Sequence, residues 1–188
     1  MSYRLEVLIS GFGGQGVVRL GQILANASVN EGLYTTMLVS HGTETRGGYV
    51  RAQVVISDQP VDSPSCENPN FLVAMSKAAY DKFKALVSDG TIIYEPYYIN
   101  ADESLSCRHI PLAARDMAVK DLGREVYANV IVLGFLANLM TKTLKKEHIL
   151  KVMLERIPKL HEENKKAFEM GYSLAAAGLP ELVTPCTT

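Results

Sequence analysis

The sequence has little of what marks several functional classes. Its three cysteines, Cys66, Cys107 and Cys186, stand at least 41 positions apart. That spacing makes neither a CxxC redox pair nor the ligand run of a zinc or iron-sulfur site, and an odd number argues against a disulfide framework. A reducing, cytoplasmic setting is expected. Neither sign of charge is in excess: 19 Lys plus Arg face 20 Asp plus Glu. No long-range field therefore draws nucleic acid or anionic lipid, and neither is expected as a partner. Weak self-repulsion is permissive for subunit assembly without demonstrating it. The start "MSYRLEV" has no apolar leader, so secretion is not expected. The most apolar later segment, residues 126–140, is only 15 residues long and contains Asn129 and Asn138. A bilayer span needs about 20. Glycine and proline, at 14 and 8, are too few and too scattered for a disordered or fibrous chain.

What is present fits one compact domain covering 1–188, a length near the upper end of single-domain size. Residues 5–10, "LEVLIS", read as a buried strand stopped by glycines, and Val17, Val18, Leu20, Leu24, Ala25 and Ala27 recur at helical spacing over about 14–30. Further strands are expected at 33–40, 49–57, 71–76 and 91–96. The segment 106–112 is either a short strand or an extended approach to a helix. Helices are expected at 77–87, 113–122, 125–141, 146–156 and 162–177. Residues 49–57 alternate, leaving Tyr49, Arg51 and Gln53 on a face more polar than a fully covered parallel strand would carry. The order predicts an α/β fold: a Rossmann-like, mostly parallel sheet flanked by helices, with a helical C-terminal third.

Two loops carry the chemistry. In "GFGGQG", Gly11, Gly13 and Gly16 match GxGxxG after a strand and at a helix start, with Gly14 and Gln15 between them. Such a turn lets backbone N–H groups at the helix N-terminus face an anion, or it simply permits a tight bend. The acidic residue that a dinucleotide site wants at the end of the second strand is missing, since that strand ends in Ser40, His41 and Gly42. The second loop, "SHGTETRGG", follows that strand and is expected at the same carboxyl edge. Thr43, Glu44, Arg46, Gly47 and Gly48 lie within it. Arg46 can clamp a phosphate or carboxylate in a bidentate fork, or pair with Glu44 or Asp58 to shape the loop. His41 has no second ligand at metal spacing. Tyr94, Tyr97 and Tyr98 around Glu95 suit an interface or a half-buried sheet edge. Asn129 and Asn138, on an otherwise apolar helix, are the stronger interface signal, because a buried amide must find a partner.

At these residues the chain resembles the gamma subunit of 2-oxoacid:ferredoxin oxidoreductases. The likeness rests on "GFGGQGVVRLGQILANA", "SHGTETRGGYVRAQVVISDQPVDSP" and "NPNFLVAMSKAAYDKF", in that order and spacing, and it extends with falling strength over nearly the whole chain. The resemblance implies a polypeptide inactive alone, assembled with alpha and beta subunits and, as a further candidate, a delta subunit. In such enzymes a 2-oxoacid is decarboxylated on thiamine diphosphate with magnesium, electrons leave through iron-sulfur clusters to ferredoxin, and the acyl group passes to coenzyme A. Those groups belong to partner chains, and no catalytic or metal-binding residue is expected here; coenzyme A is the cofactor this chain is expected to share. Carried over by position, Gly11, Gly13, Gly14, Gln15 and Gly16 form one wall of a cofactor- or partner-facing site. Thr43, Glu44, Arg46, Gly47 and Gly48 form the other. The sequence around "TETRGG" leans toward the 2-oxoglutarate or branched-chain side. Competing readings are a stand-alone NAD-binding dehydrogenase, an indolepyruvate oxidoreductase beta subunit, and a homo-oligomeric nucleotide-binding or scaffold protein. A homodimer of the isolated chain is a further candidate.

Overall fold

A computed structural model describes residues 3–42 and 49–177. Six strands form one sheet in the order β2-β3-β1-β4-β5-β6. They are β1 (Arg4–Gly11), β2 (Tyr34–His41), β3 (Val50–Ser57), β4 (Phe71–Ala74), β5 (Thr91–Tyr94) and β6 (Arg108–Pro111). β1, β4, β5 and β6 run parallel, while β3 pairs antiparallel with both β1 and β2. β2 therefore runs in the same direction as β1 with one reversed strand between them. The sheet is mostly parallel, as expected, and residues 108–111 are a strand.

Among the described residues the α-helices are α1 (Val17–Asn30), α2 (Lys77–Phe83), α3 (Ala114–Leu122), α4 (Ala128–Leu139), α5 (Lys146–Arg156) and α6 (His161–Ala176). Two begin later than their periodicity suggests. α1 starts at Val17 because Gly14 and Gly16 hold φ of 93° and 80°, outside the helical region. α4 starts at Ala128 because Glu125–Tyr127 winds as a tighter 3₁₀ turn.

Side-chain alternation divides the interior in two. Val7, Ile9, Ala52, Val54, Ile56, Val73 and Ile93 face one large core with Leu20, Leu24, Leu133, Phe135 and Phe168 of the helices. Leu8, Val55, Leu72 and Ile92 face a smaller core with Tyr80 and Phe83 of α2. The polar face of β3 is accounted for here: buried Gln53 accepts from Cys66 N at 3.0 Å, and the Arg51 guanidinium reaches Ser40 Oγ and lies over the Phe83 ring. Glu6, buried in mid-strand, accepts from Arg4 Nε at 2.7 Å and from the backbone N–H groups of Glu67 and Asn68 at 2.7 and 3.0 Å. One carboxylate thus ties the segment before β4 to β1.

Candidate ligand and assembly site at the carboxyl edge

From β1 the chain crosses through α1 to β2 and β3 on one side, then returns to β4 on the other side of β1. A crevice opens where strand order reverses in this way, at the carboxyl ends of β1 and β4. The glycine turn sits in it. Gln15 N donates to Phe12 O at 3.3 Å, Phe12 N donates to Gln15 Oε1 at 2.6 Å, and Gln15 Nε2 donates to Met75 O at 3.0 Å. The Gln15 side chain is thus spent on closing the turn and fastening it to the end of β4. What remains for a ligand is backbone. Gly16 caps α1 with no side-chain hydrogen bond, and no acidic residue lies in the first turn, so the helix's leading N–H groups keep their positive potential.

The glycines differ in what demands them. A methyl at Gly11 would stand 2.9 Å from Met75 Cβ, and one at Gly16 would collide with the Asn129 side chain. Gly13 has an ordinary negative φ, and a methyl there would meet nothing within 4 Å. Packing within the described chain therefore gives no reason for glycine at 13.

The second loop lies only partly within view. Gly11 and His41 both stand opposite Val50, so the turn and the end of β2 share one row at the same edge. Two strand spacings put them about 10 Å apart. Gly42 N donates to Tyr49 O at 2.7 Å, closing the stem of the β2–β3 hairpin. Thr43, Glu44, Arg46, Gly47 and Gly48 lie outside the described residues.

Beside the turn is a cavity of ≈ 330 Å³ that sequence reading did not assemble. Val73, Ile93, Leu112 and Val132 give it apolar walls, while Gln15, Glu95, Arg115 and Asn129 bring polar groups. Glu95, at the end of β5, is buried, and its two oxygens accept from Tyr97 N at 3.2 Å and Arg115 N at 2.9 Å. Burial pushes its carboxyl above the ordinary range, and those two backbone bonds only partly oppose the shift. The Arg115 guanidinium stacks on the Tyr97 ring at 3.9 Å, with Asp116 at 3.2 Å and Glu125 at 3.4 Å. Asn129 Oδ1 is enclosed with no hydrogen-bond partner. At the rim, Phe12 meets Tyr98 edge to face at 6.4 Å, and Phe12, Tyr97 and Val126 are 36%, 58% and 60% exposed. The tyrosine cluster and Asn129, both read from sequence as interface signals, converge here; Arg115 carried no such signal.

Among the described residues no group of three or more His, Cys, Asp or Glu could hold a metal ion, and no helix is long and apolar enough to cross a membrane. The geometry defines a Rossmann-like domain with a glycine turn and an amphipathic cavity at one sheet edge. Residues 6–174 match the family model described as pyruvate ferredoxin/flavodoxin oxidoreductase. The chain is 34% identical over 179 residues to the 2-oxoglutarate synthase subunit KorC of Methanocaldococcus jannaschii, covering 92% of this chain and 94% of that one. It is 37% identical over 130 residues to the ketoisovalerate oxidoreductase subunit VorA of Methanothermobacter thermautotrophicus, covering 69% of this chain but 27% of that longer one. The crystal structure of the keto/oxoacid ferredoxin oxidoreductase gamma subunit from Geobacter sulfurreducens superposes with a TM-score of 0.80 at 31% identity, over 93% of this chain and 99% of that one. The chain belongs to the pyruvate ferredoxin/flavodoxin oxidoreductase family, as a gamma-type chain.

Proposed function

We propose that the protein is the gamma-type subunit of a multi-subunit 2-oxoacid:ferredoxin oxidoreductase, without turnover of its own. Alpha and beta subunits, with a delta subunit where the assembly has one, carry thiamine diphosphate, magnesium and iron-sulfur clusters and deliver electrons to ferredoxin. This chain, one domain over 1–188, contributes an assembly surface and part of the coenzyme A region. The 2-oxoacid is 2-oxoglutarate or a branched-chain 2-oxoacid, a range supported by the KorC and VorA relatives. The match along nearly the full length of the KorC subunit and of a keto/oxoacid ferredoxin oxidoreductase gamma subunit carries the reading.

Two features of the carboxyl edge support the division of labour. Exposed Phe12, Tyr97 and Val126 make an apolar rim of the kind that subunit interfaces cover. The leading N–H groups of α1, reached past Gly13, suit a phosphate or another anion. In this reading Gly11, Gly13, Gly14, Gln15 and Gly16 form one wall, and Thr43, Glu44, Arg46, Gly47 and Gly48 form the other.

The test is reconstitution. The purified chain alone is expected to give no 2-oxoacid-dependent reduction of a viologen dye, with activity returning on addition of the other subunits; turnover by the chain alone would refute the reading. Gly13→Ala, which meets no internal obstacle, is expected to leave the melting temperature unchanged while raising KM for coenzyme A or weakening assembly. If it alters neither, the proposed wall is wrong.

A further inference from the structure

The two outer edges of the sheet are finished differently. β6 is four residues long, begins with exposed Arg108 and ends with Pro111; a short strand, a charge and a proline are devices that keep an edge from pairing with another chain. β2, at the other end of the strand order, is eight residues long, reads YTTMLVSH, and holds no proline, glycine, Lys, Arg, Asp or Glu. The hairpin fixes which way its backbone groups point. Gly42 N donates to Tyr49 O at 2.7 Å, so in the unbroken register of β2 on β3 the residues Tyr34, Thr36, Leu38 and Ser40 turn their N–H and C=O groups toward β3. Thr35, Met37, Val39 and His41 turn theirs outward, where no described residue pairs with them. Side chains along this strand are open too. Tyr34 and Leu38 are 51% and 36% exposed, whereas the neighbouring strand is buried from Ala52 to Ser57.

A row of outward N–H and C=O groups is met by an extended strand, and charge selects which strand. From Val17 to His41, a stretch that holds α1 and β2, only Arg19 and Glu31 are charged, in a chain where 21% of residues are. Glu31 is already engaged by Lys145 and His148. A strand rich in charge finds no counter-charge along β2; an uncharged one fits, as at the charge-depleted centre of an interface. β2 is itself such a strand, and its geometry is complementary to its own. In an antiparallel pair of copies, one register engages all four outward residues on both sides: Met37 exchanges both bonds with Val39 of the copy, and Thr35 with His41. Leu38 then faces Leu38 across a non-hydrogen-bonded position, where side chains stand closest.

We propose that the chain pairs with a second copy of itself through β2, antiparallel about a two-fold axis at Leu38, joining the two sheets into one. The contact needs no ligand and no other subunit, so self-pairing and reconstituted activity are separate readouts.

The experiment uses the full-length chain. Sedimentation velocity is expected to give twice the monomer mass, with half-dissociation at about 10 μM or below. Leu38→Lys changes an exposed side chain, so the circular dichroism spectrum should hold, while like charges opposed at the axis should weaken dimerisation at least about tenfold. Leu38→Cys, made with Cys186→Ser so that only buried Cys66 and Cys107 accompany it, should form an intermolecular disulfide on mild oxidation, because Cα atoms facing at such a position stand about 4.5 Å apart, within disulfide reach. Thr36→Cys in the same background should not, its copy lying four residues further along, about 13 Å away. A chain monomeric up to about 1 mM overturns the proposal. So does a dimer in which Leu38→Cys fails to cross-link or Thr36→Cys cross-links as readily, since another surface or register then holds it. A monomer whose Leu38→Lys variant no longer assembles with the other subunits overturns self-pairing and gives the edge to a strand of one of them. The unsubstituted chain can by itself refute the pairing, so misfolding of a variant cannot protect it.

Discussion

Gly134 of α4 and Gly171 of α6 each lie against the other helix's backbone. A methyl at Gly134 would overlap Phe168 O, standing 2.8 Å from Phe168 C and 3.0 Å from Tyr172 N; one at Gly171 would overlap Ile131 O, standing 2.8 Å from Ile131 C. Carbon atoms in contact prefer about 3.5–4.0 Å, so Gly134→Ala must part the helices by about 1 Å, because a backbone carbonyl cannot rotate aside as a side chain can. A gap of that size forfeits a quarter to a half of each dispersion contact across it. Ile131, Phe135 and Phe168, all fully buried, share that seam. Overpacking costs about 1–3 kcal/mol, and the loosened seam adds about 1–2 kcal/mol, given about 1.5–3 kcal/mol for each large buried side chain. Helix propensity returns about 1 kcal/mol. The net expectation is destabilisation by about 1–4 kcal/mol, or about 2–16 °C in Tm for a chain of this length. Urea unfolding followed by circular dichroism gives the number directly. One separation serves both sites, so adding Gly171→Ala to Gly134→Ala should cost less than the sum by about 1 kcal/mol or more. A neutral or stabilised Gly134→Ala, the sign that propensity alone gives, would refute this account of the seam, as would an additive pair.

Two further predictions concern titration and reactivity. His109 Nδ1 faces Cys107 O at 3.0 Å and so carries the proton, leaving Nε2 to accept from Tyr80 Oη at 3.0 Å. Burial lowers its pKa, with the Lys84 charge adding to the effect and the Cys107 carbonyl opposing it. The unfolded chain therefore takes up this proton first, and the contribution of His109 to stability is full above about pH 6.5 and is lost as pH falls toward the lower folded value. NMR titration should find the His109 imidazole below the ordinary value, and titration at or above that value would overturn the assignment. The Cys66 thiol, 3.8 Å from Val7 O, is pushed up to about 12 by burial, with the Glu6 charge adding to it. At pH 8 its thiolate fraction is about 10⁻⁴ against about a quarter for an ordinary cysteine. Alkylation mapped by mass spectrometry should spare Cys66 in the native protein and reach it in denaturant; stoichiometric native labelling there would contradict its burial.

The strands were legible because each is a short apolar run stopped by glycine, proline or polar residues, and the helices because their apolar positions recur at helical spacing. Strand direction does not show in periodicity, but loop length carried it. His41 and Val50 are separated by eight residues, too few for the crossover of a dozen or more that a parallel pair requires. The sequence could therefore have predicted the β2–β3 hairpin. The cavity was not legible in the same way. Glu95 follows β5, Arg115 opens α3 and Asn129 opens α4, so no window of sequence holds them together. Only the sheet, by ending β4, β5 and β6 in one row, makes them neighbours. Asn129 stood out beforehand as an amide among apolar residues, and the tyrosines around Glu95 as a cluster, but nothing in the sequence joined the two. The Gln15 amide is held within the turn, accepting from Phe12 N and donating to Met75 O.

The helical third, which looks like an addition to the sheet, is part of the site's construction. Gly16 has no Cβ, and that absence lets Asn129 of α4 press against the turn at the start of α1. The height of α4 above the sheet therefore sets where the Asn129 oxygen sits relative to the cavity. α4 is itself held against α6 through the glycine seam, less than two turns along α4 from Asn129. A methyl at Gly134 would strain the contact that positions Asn129 without touching the cavity, so coenzyme A dependence of the reconstituted complex and stability of the chain should be impaired together in Gly134→Ala. Asn129→Leu should leave the seam, and the stability it carries, in place. The two substitutions thus separate a side chain that lines the cavity from the packing that places it.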